Sequence, residues 1–326
     1  MKEAIFDELP DRPLCHAATV VEAGNRDLLV AWYAGHSERA TDVAIFASRL
    51  ETDAGSWSEP TIISDTPGRA DDNPVLFVTA DVTVWLYHVF LDGSRWSEAR
   101  IVRRHSLDDG RSWSAIEQLD APQGWVTRSK PLITESGALI LPLYDSVREA
   151  PLVAIGAAEG DPFEFVEIPT RGLRAIQPTL VQRDDGRLLA LMRSSYGSLF
   201  RSFSDDEGRH WSTAAPTDLP NPDAAADMVR LASGSLALAF NDSSCSRTPL
   251  VVALSDDEGE TWPYRMALET GDGEFSYPAI IQDSSGLLHV VYTWRRAHIE
   301  HAWFTESDLR RYAAPLARVD SARFAP

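Results

Sequence analysis

The sequence predicts an all-β chain folded as a six-bladed β-propeller of four-stranded antiparallel blades. Three observations predict it. The string Ser-x-Asp-x-Gly-x-x-Trp occurs at 106–113, 204–211 and 255–262. Trp211 and Trp262 are 51 residues apart and Trp113 and Trp211 are 98 apart, two periods with a degraded copy between them. The text between the strings reads as short strands, and no segment carries a sustained helical stripe. A period near 50 residues holding about four short strands describes propeller blades.

Each element follows from local chemistry. "RLLALMRSS", "SLALAFNDS" and "LLHVVYTWR" are short and apolar, and "DDG", "ASG" and "SSG" turns precede them. "ETDAGSW" (51–57) is an imperfect copy of the string, and "EGDPFEF" (159–165) stands where the missing one falls. Five such positions and a last blade over about 275–310 make six. The N-terminal strand is expected to complete that last blade, so that residues 1–326 form one domain. In each string the Asp is expected to cap the amides of a tight loop, Gly to take the left-handed position and Trp to pack beneath. The acidic strings are then punctuation of the fold, not catalytic clusters.

Composition limits the partners. The chain has 326 residues, 44% of them hydrophobic, enough for a sizeable core. Its formal charge is −19 with no long block of like charge, a surface that repels nucleic acid and anionic membrane. No apolar run approaches a membrane span, and the N-terminus lacks the basic start and apolar core of a secretory signal, so a cytoplasmic location is expected. Cys15 and Cys245 are expected as reduced thiols. His289, His298 and His301 share one blade without zinc spacing, and the last two are expected at the surface or rim. There is no phosphate-cradling loop and no serine nucleophile elbow, and no metal or cofactor is expected.

Arginine on an apolar strand is unusual. Arg193 and Arg247 read as equivalent positions of successive repeats, which a propeller axis can bring together. A guanidinium fork matches a carboxylate bidentately, so the pair points to an acidic ligand.

The repeated string is the Asp-box, and six such blades resemble the sialidase superfamily over nearly the whole chain. "EFSYPAIIQDSSGLLHVVYTW" (274–294) resembles the stretch carrying the nucleophilic tyrosine, which implies that role for Tyr277. The strings around Arg193 and Arg247 are similar to those holding two substrate-binding arginines. "LLVAWYAGHSERATDVAIFASR" resembles the segment delivering the acid catalyst, here Asp42, and "DDNPVLF" puts Asn73 near the rim. Two positions depart from the pattern. His16 stands where the resemblance implies a third arginine, and Gln177 where it implies the glutamate that polarises the tyrosine. "LPNPDAAADM" and "VVYTWRRAHIEHAWF" are similar to a bacterial and plant subgroup of sialidase-like proteins.

A phenol of ordinary pKa, near 10, is about one part in a thousand ionised at neutral pH, so Tyr277 needs a group that takes or shares its proton. An amide such as Gln177 has no useful basicity. His16 does, and ring closure is expected to bring it beside Tyr277. Glu38, His36, Lys130, Asn221, Asp227, Asn241, Arg295 and Arg296 are further candidates to line the pocket. Of the consecutive Arg295 and Arg296 only one faces inward. Three functions fit: an exo-acting glycoside hydrolase for an acidic sugar, a uronate lyase using a His–Tyr pair, and a binding propeller without turnover.

Overall fold

A computed structural model describes residues 1–157 and 162–312. It contains six antiparallel sheets arranged as a ring of blades. The first blade runs Leu14–Glu22, Leu28–Gly35, Ala44–Leu50 and Thr61–Ser64 from the axis outwards, and the second Asp71–Val78, Val84–Leu91, Ala99–Ser106 and Glu117–Gln118. In the third blade the innermost strand is broken into Trp125–Thr127 and Leu132–Ile133, both paired with Leu139–Asp145. The fourth and fifth begin at Ala175–Gln182 and Asp227–Arg230, and the sixth comprises Phe275–Gln282, Leu287–Trp294 and His298–Thr305. The fourth strand of the sixth blade is Lys2–Ala4, antiparallel to Glu300–Ala302. The N-terminal strand therefore closes the ring, as expected. A short helix, Glu306–Tyr312, follows the last strand; the sequence carries no stripe long enough to have announced it.

The core lies between blades. Cys15, Trp32 and Ala44 of the first blade pack against Val291 and Ile299 of the sixth. Similar clusters join the third to the fourth blade, the fourth to the fifth and the fifth to the sixth. Cys15 is a buried free thiol and Cys245 an exposed one. Burial pushes the Cys15 thiol up to about 12, which makes it a small apolar filler. Among the described residues no helix is long and apolar enough to cross a membrane.

The Asp-boxes behave as read. Each joins the third strand of its blade to the fourth. Ser255 Oγ accepts the Gly259 amide at 2.9 Å, and Asp257 accepts the Thr261 amide at 2.8 Å. Ser106 with Asp108 and Ser204 with Asp206 repeat this. Gly110, Gly208 and Gly259 have φ of 83°, 88° and 84°. In the imperfect copy at 51–57 a carboxylate from another turn substitutes: Asp27 accepts the Thr52 amide and pairs with Arg49. The degraded copy at 159–165 lies partly outside the described residues. One expectation fails: His301 is buried between Trp57 and Trp303 and bonds His289 at 3.0 Å. Burial and the neighbouring imidazole push it down to about 3, a neutral ring in an apolar slot rather than a rim residue.

Two stability predictions follow from the boxes. A Cβ on Gly259 would meet Leu189 Cδ2 at 2.7 Å, whereas one on Gly286, also at positive φ, meets nothing within 4 Å. Gly259→Ala should therefore cost about 1–3 kcal/mol by denaturant titration, and more than Gly286→Ala. Burial raises the Asp257 carboxyl, but hydrogen bonds from Thr261 and Ser255 more than offset this and hold it below its ordinary value. Asp206, bonded first of all by His210, is pushed down to about 2. Such carboxylates stabilise the fold above the unfolded value near 3.9, and that contribution is lost as pH falls through the folded value. The denaturant midpoint should fall between about pH 4 and 2, and fall less in Asp257→Asn.

Candidate active site

Strand direction sorts the residues. Within each blade neighbouring strands run antiparallel. Starts of first strands, ends of second strands and loops between second and third strands therefore share one rim. The Asp-boxes, between third and fourth strands, lie on the other. His16, Asn73, Gln177 and Tyr277 sit near the starts of first strands, and Arg193 near the end of a second. Glu38, Asp42, Arg247, Arg295 and Arg296 lie in loops between second and third strands. All belong to the rim away from the boxes.

A backbone device aims four of these first strands. Ala17, Asn73, Gln177 and Tyr277 have φ of 57°, 52°, 53° and 53°, each at a register shift of its sheet. A bulge at a left-handed residue breaks the alternation of the strand and re-aims the side chain. For a residue as bulky as tyrosine this conformation is strained and persists only when its surroundings hold it. Pro74, Pro178 and Pro278 follow three of the four, an X-Pro signal recurring two blades apart that could have located the positions in the sequence.

Tyr277 is the centre of the site. Arg193 Nη1 donates to its hydroxyl at 2.7 Å and Gln177 Nε2 at 3.4 Å. The guanidinium carbons of Arg128, Arg247 and Arg193 lie 5.0, 5.4 and 6.0 Å from its ring centre. Burial alone would raise this phenol, but Arg193 and Arg247, the Gln177 bond and Arg128 together bring it below its ordinary value. Tyr33 and Tyr144, buried nearby, are pushed up instead, chiefly by desolvation. The two expected arginines meet here, though not at equivalent positions: Arg193 is on the second strand of the fourth blade and Arg247 in a loop of the fifth.

The arginines are held by carboxylates. Asp223 accepts Arg193 Nε at 2.6 Å and Arg174 at 2.7 Å. Glu274 accepts Arg247 at 2.7 Å and Arg296 at 3.1 Å, and Arg296 also pairs with Glu38 at 2.8 Å. Of the consecutive pair, Arg296 is the inward one. Arg295 donates to the Asp272 carbonyl and stacks on Trp294, away from the bowl.

Other candidates have different partners. The His16 ring lies 4.2 Å from that of Tyr277, but its Nδ1 bonds Thr293 Oγ1 at 2.9 Å. Burial, then the charges of Arg296, Arg247, Arg128 and Arg193, keep its imidazole neutral. The direct proton-sharing bond expected between His16 and Tyr277 is replaced by the bond from Arg193. Asp42 accepts the His36 amide at 2.9 Å, folding its own loop, while Glu38 of that loop reaches Arg296. Asn73 is buried and its carbonyl accepts Thr127 Oγ1. Asn221 and Asn241 bond backbone at Ala224 and Phe275. Lys130 and Asp227 pair at 2.5 Å, and Asp227 also accepts Thr179 and the Ile280 amide, three residues along the strand from Tyr277. With Arg128 they floor the bowl.

Arg128, Asp223 and Glu274 were not anticipated. "TRSKP" has no strand pattern around Arg128, and the carboxylates sit just before first strands, where they read as turn residues. Among the described residues no group of three His, Cys, Asp or Glu side chains could hold a metal.

Solved structures place this architecture. A Hadza microbial sialidase superposes with a TM-score of 0.80 at 18% identity, covering 94% of this chain and 69% of that one. The intramolecular trans-sialidase from Ruminococcus gnavus, in complex with oseltamivir carboxylate, gives 0.79 at 12% identity, covering 95% and 98%. A protein of unknown function from Dyadobacter fermentans gives 0.78 at 14%, covering 93% and 97%. At these identities the likeness is one of fold. No curated protein matches. Residues 26–290 match the family model described as a BNR repeat-like domain, and the chain belongs to that family.

Proposed function

We propose that the protein is a sialidase-like, exo-acting glycoside hydrolase for a sugar bearing a carboxylate. The observation that carries the reading is Tyr277, gripped at its hydroxyl by Arg193 and faced by Arg247, at the axis end of the propeller. Arg193 and Arg247 hold the sugar carboxylate, with Arg296 beside them, exchanging it for part of their contact with Glu274 and Asp223. Asp42, on the rim loop, gives a proton to the leaving oxygen as the glycosidic C–O bond breaks and the Tyr277 oxygen, its own proton already lost to solvent, bonds to the anomeric carbon. Water then attacks that carbon, yields its proton to the Asp42 carboxylate and releases the tyrosine. Two displacements at one carbon retain its configuration, and a tyrosine nucleophile is the known exception to paired carboxylates. The floor formed by Lys130, Asp227 and Arg128 suits a terminal sugar rather than a threaded polymer.

A uronate lyase is the second reading, and Gln177 favours it. With no glutamate beside the tyrosine, a phenol made acidic by arginines serves equally to remove a proton next to a carboxylate that the same arginines neutralise. The sugar is then cleaved by β-elimination, leaving an unsaturated end.

Assays on sialosides and glucuronosides, reading both reducing and unsaturated ends, separate the two. Reducing ends without ultraviolet-absorbing product are expected, the reverse would establish the lyase, and saturable binding without product would leave a binding propeller. Tyr277→Phe should lower kcat by on the order of 10³-fold or more, as loss of a nucleophile does. Arg247→Ala, which removes a charge-assisted contact of about 1.5–3 kcal/mol, should lower kcat/KM by about 10- to 100-fold. Activity substantially retained in Tyr277→Phe would end both catalytic readings.

A further inference from the structure

Arg128 is 3% exposed and crosses from the third blade to the gap between the first and sixth. Its Nη1 donates to the Ala18 carbonyl at 3.4 Å and its Nη2 to the Pro278 carbonyl at 3.0 Å. Each acceptor directly follows a left-handed bulge residue, Ala17 or Tyr277. Its Nε is buried without a hydrogen-bond partner, and no carboxylate among the described residues forms an ion pair with it. An isolated buried cation is costly, by several kcal/mol, unless an opposite charge lies near it.

The other charges of the bowl balance in number, although Asp223 and Glu274 are each shared by two arginines. Lys130 pairs with Asp227, whose oxygens also accept Thr179 and the Ile280 amide. Arg193 pairs with Asp223, Arg174 with Glu149, Arg247 with Glu274 and Arg296 with Glu38. Asp72, wholly buried with neither oxygen bonded, is pushed well up by desolvation and so contributes no negative charge. His16 is neutral, and the phenols of Tyr33 and Tyr144 are raised. Asp227, already paired with Lys130, also acts on Arg128, and the uncommitted group opposite the guanidinium is the ring of Tyr277, 5.0 Å away. The other side of that phenol meets only donors, Arg193 Nη1 and the Gln177 amide, which can both point hydrogens at one oxygen most favourably when that oxygen has lost its own.

We propose that Tyr277 rests as a phenolate and that Arg128 is its buried counter-cation, a positioning residue that also fastens the strained backbone on both sides of the ring closure. Gln177 is then suited to its place: a carboxylate there would repel the phenolate, whereas an amide donates to it. No base is needed at the moment of reaction, because the proton has already gone to solvent. The catalytic consequence rests on the hydrolase or lyase reading; the charge state does not.

The test is an ultraviolet difference titration of tyrosinate on the full chain, wild type minus Tyr277→Phe. One of the eight tyrosines should ionise with a midpoint below about 7, at least three units under the ordinary value near 10. A midpoint at 7 or above overturns the phenolate, and this needs no change at Arg128. Arg128→Met or Arg128→Gln, whichever melts as a folded protein, should raise the midpoint by about one unit or more, and Arg128→Lys by less. An unchanged midpoint in a folded neutral variant overturns the role of Arg128. A low midpoint in a protein that cleaves no glycoside would leave this proposal standing and remove the proposed activity. With substrate in hand, the acid limb of kcat/KM should track the same midpoint.

Discussion

Neighbouring strands of a blade run in opposite directions, and this one constraint sorts the whole molecule. Loops that join third to fourth strands emerge on one rim, and loops that join second to third strands on the other. The first rim carries the Asp-boxes, whose carboxylates are spent on backbone amides. The second carries the arginines, Tyr277 and the carboxylates that hold them. An acidic chain with a formal charge of −19 can thus gather cations at one place, since its acidic boxes lie on the far rim.

Closure of the ring is the second requirement. Lys2–Ala4 completes the sixth blade and sets it against the first, so that His16 and Tyr277, distant in the chain, meet with their rings 4.2 Å apart and tilted by 46°. Arg128 spans the same seam from the third blade, bonding the carbonyls after two bulge residues. Strain in the left-handed backbone of Tyr277 is thereby tied to the charges that set its acidity. The site is built from backbone irregularity and ion pairing together.

Much of the fold was legible in the chain because its signals are local. The box turn needs Ser, Asp and Gly at set offsets, and the period of the boxes counts the blades. Strand closure by the N-terminus and the placing of Tyr277, Arg193 and Arg247 around one centre also agree with the structure. Where local signals failed, they failed for stated reasons. His301 reads as polar, yet burial among tryptophans makes it a neutral core ring. His16 reads as a base for Tyr277, yet Thr293 takes its nitrogen.

The sequence by itself determined the all-β class, the repeat, the function of the acidic strings and most of the side chains that meet at the axis. Only the tertiary structure decided their pairings. Which carboxylate holds which arginine, which of Arg295 and Arg296 turns inward, and that Arg128 lies under Tyr277 all depend on distances between blades. Charge interactions fall with separation in space and take no account of separation in sequence. Residues 128 and 277 are 149 positions apart, and no local pattern encodes the 5.0 Å between them.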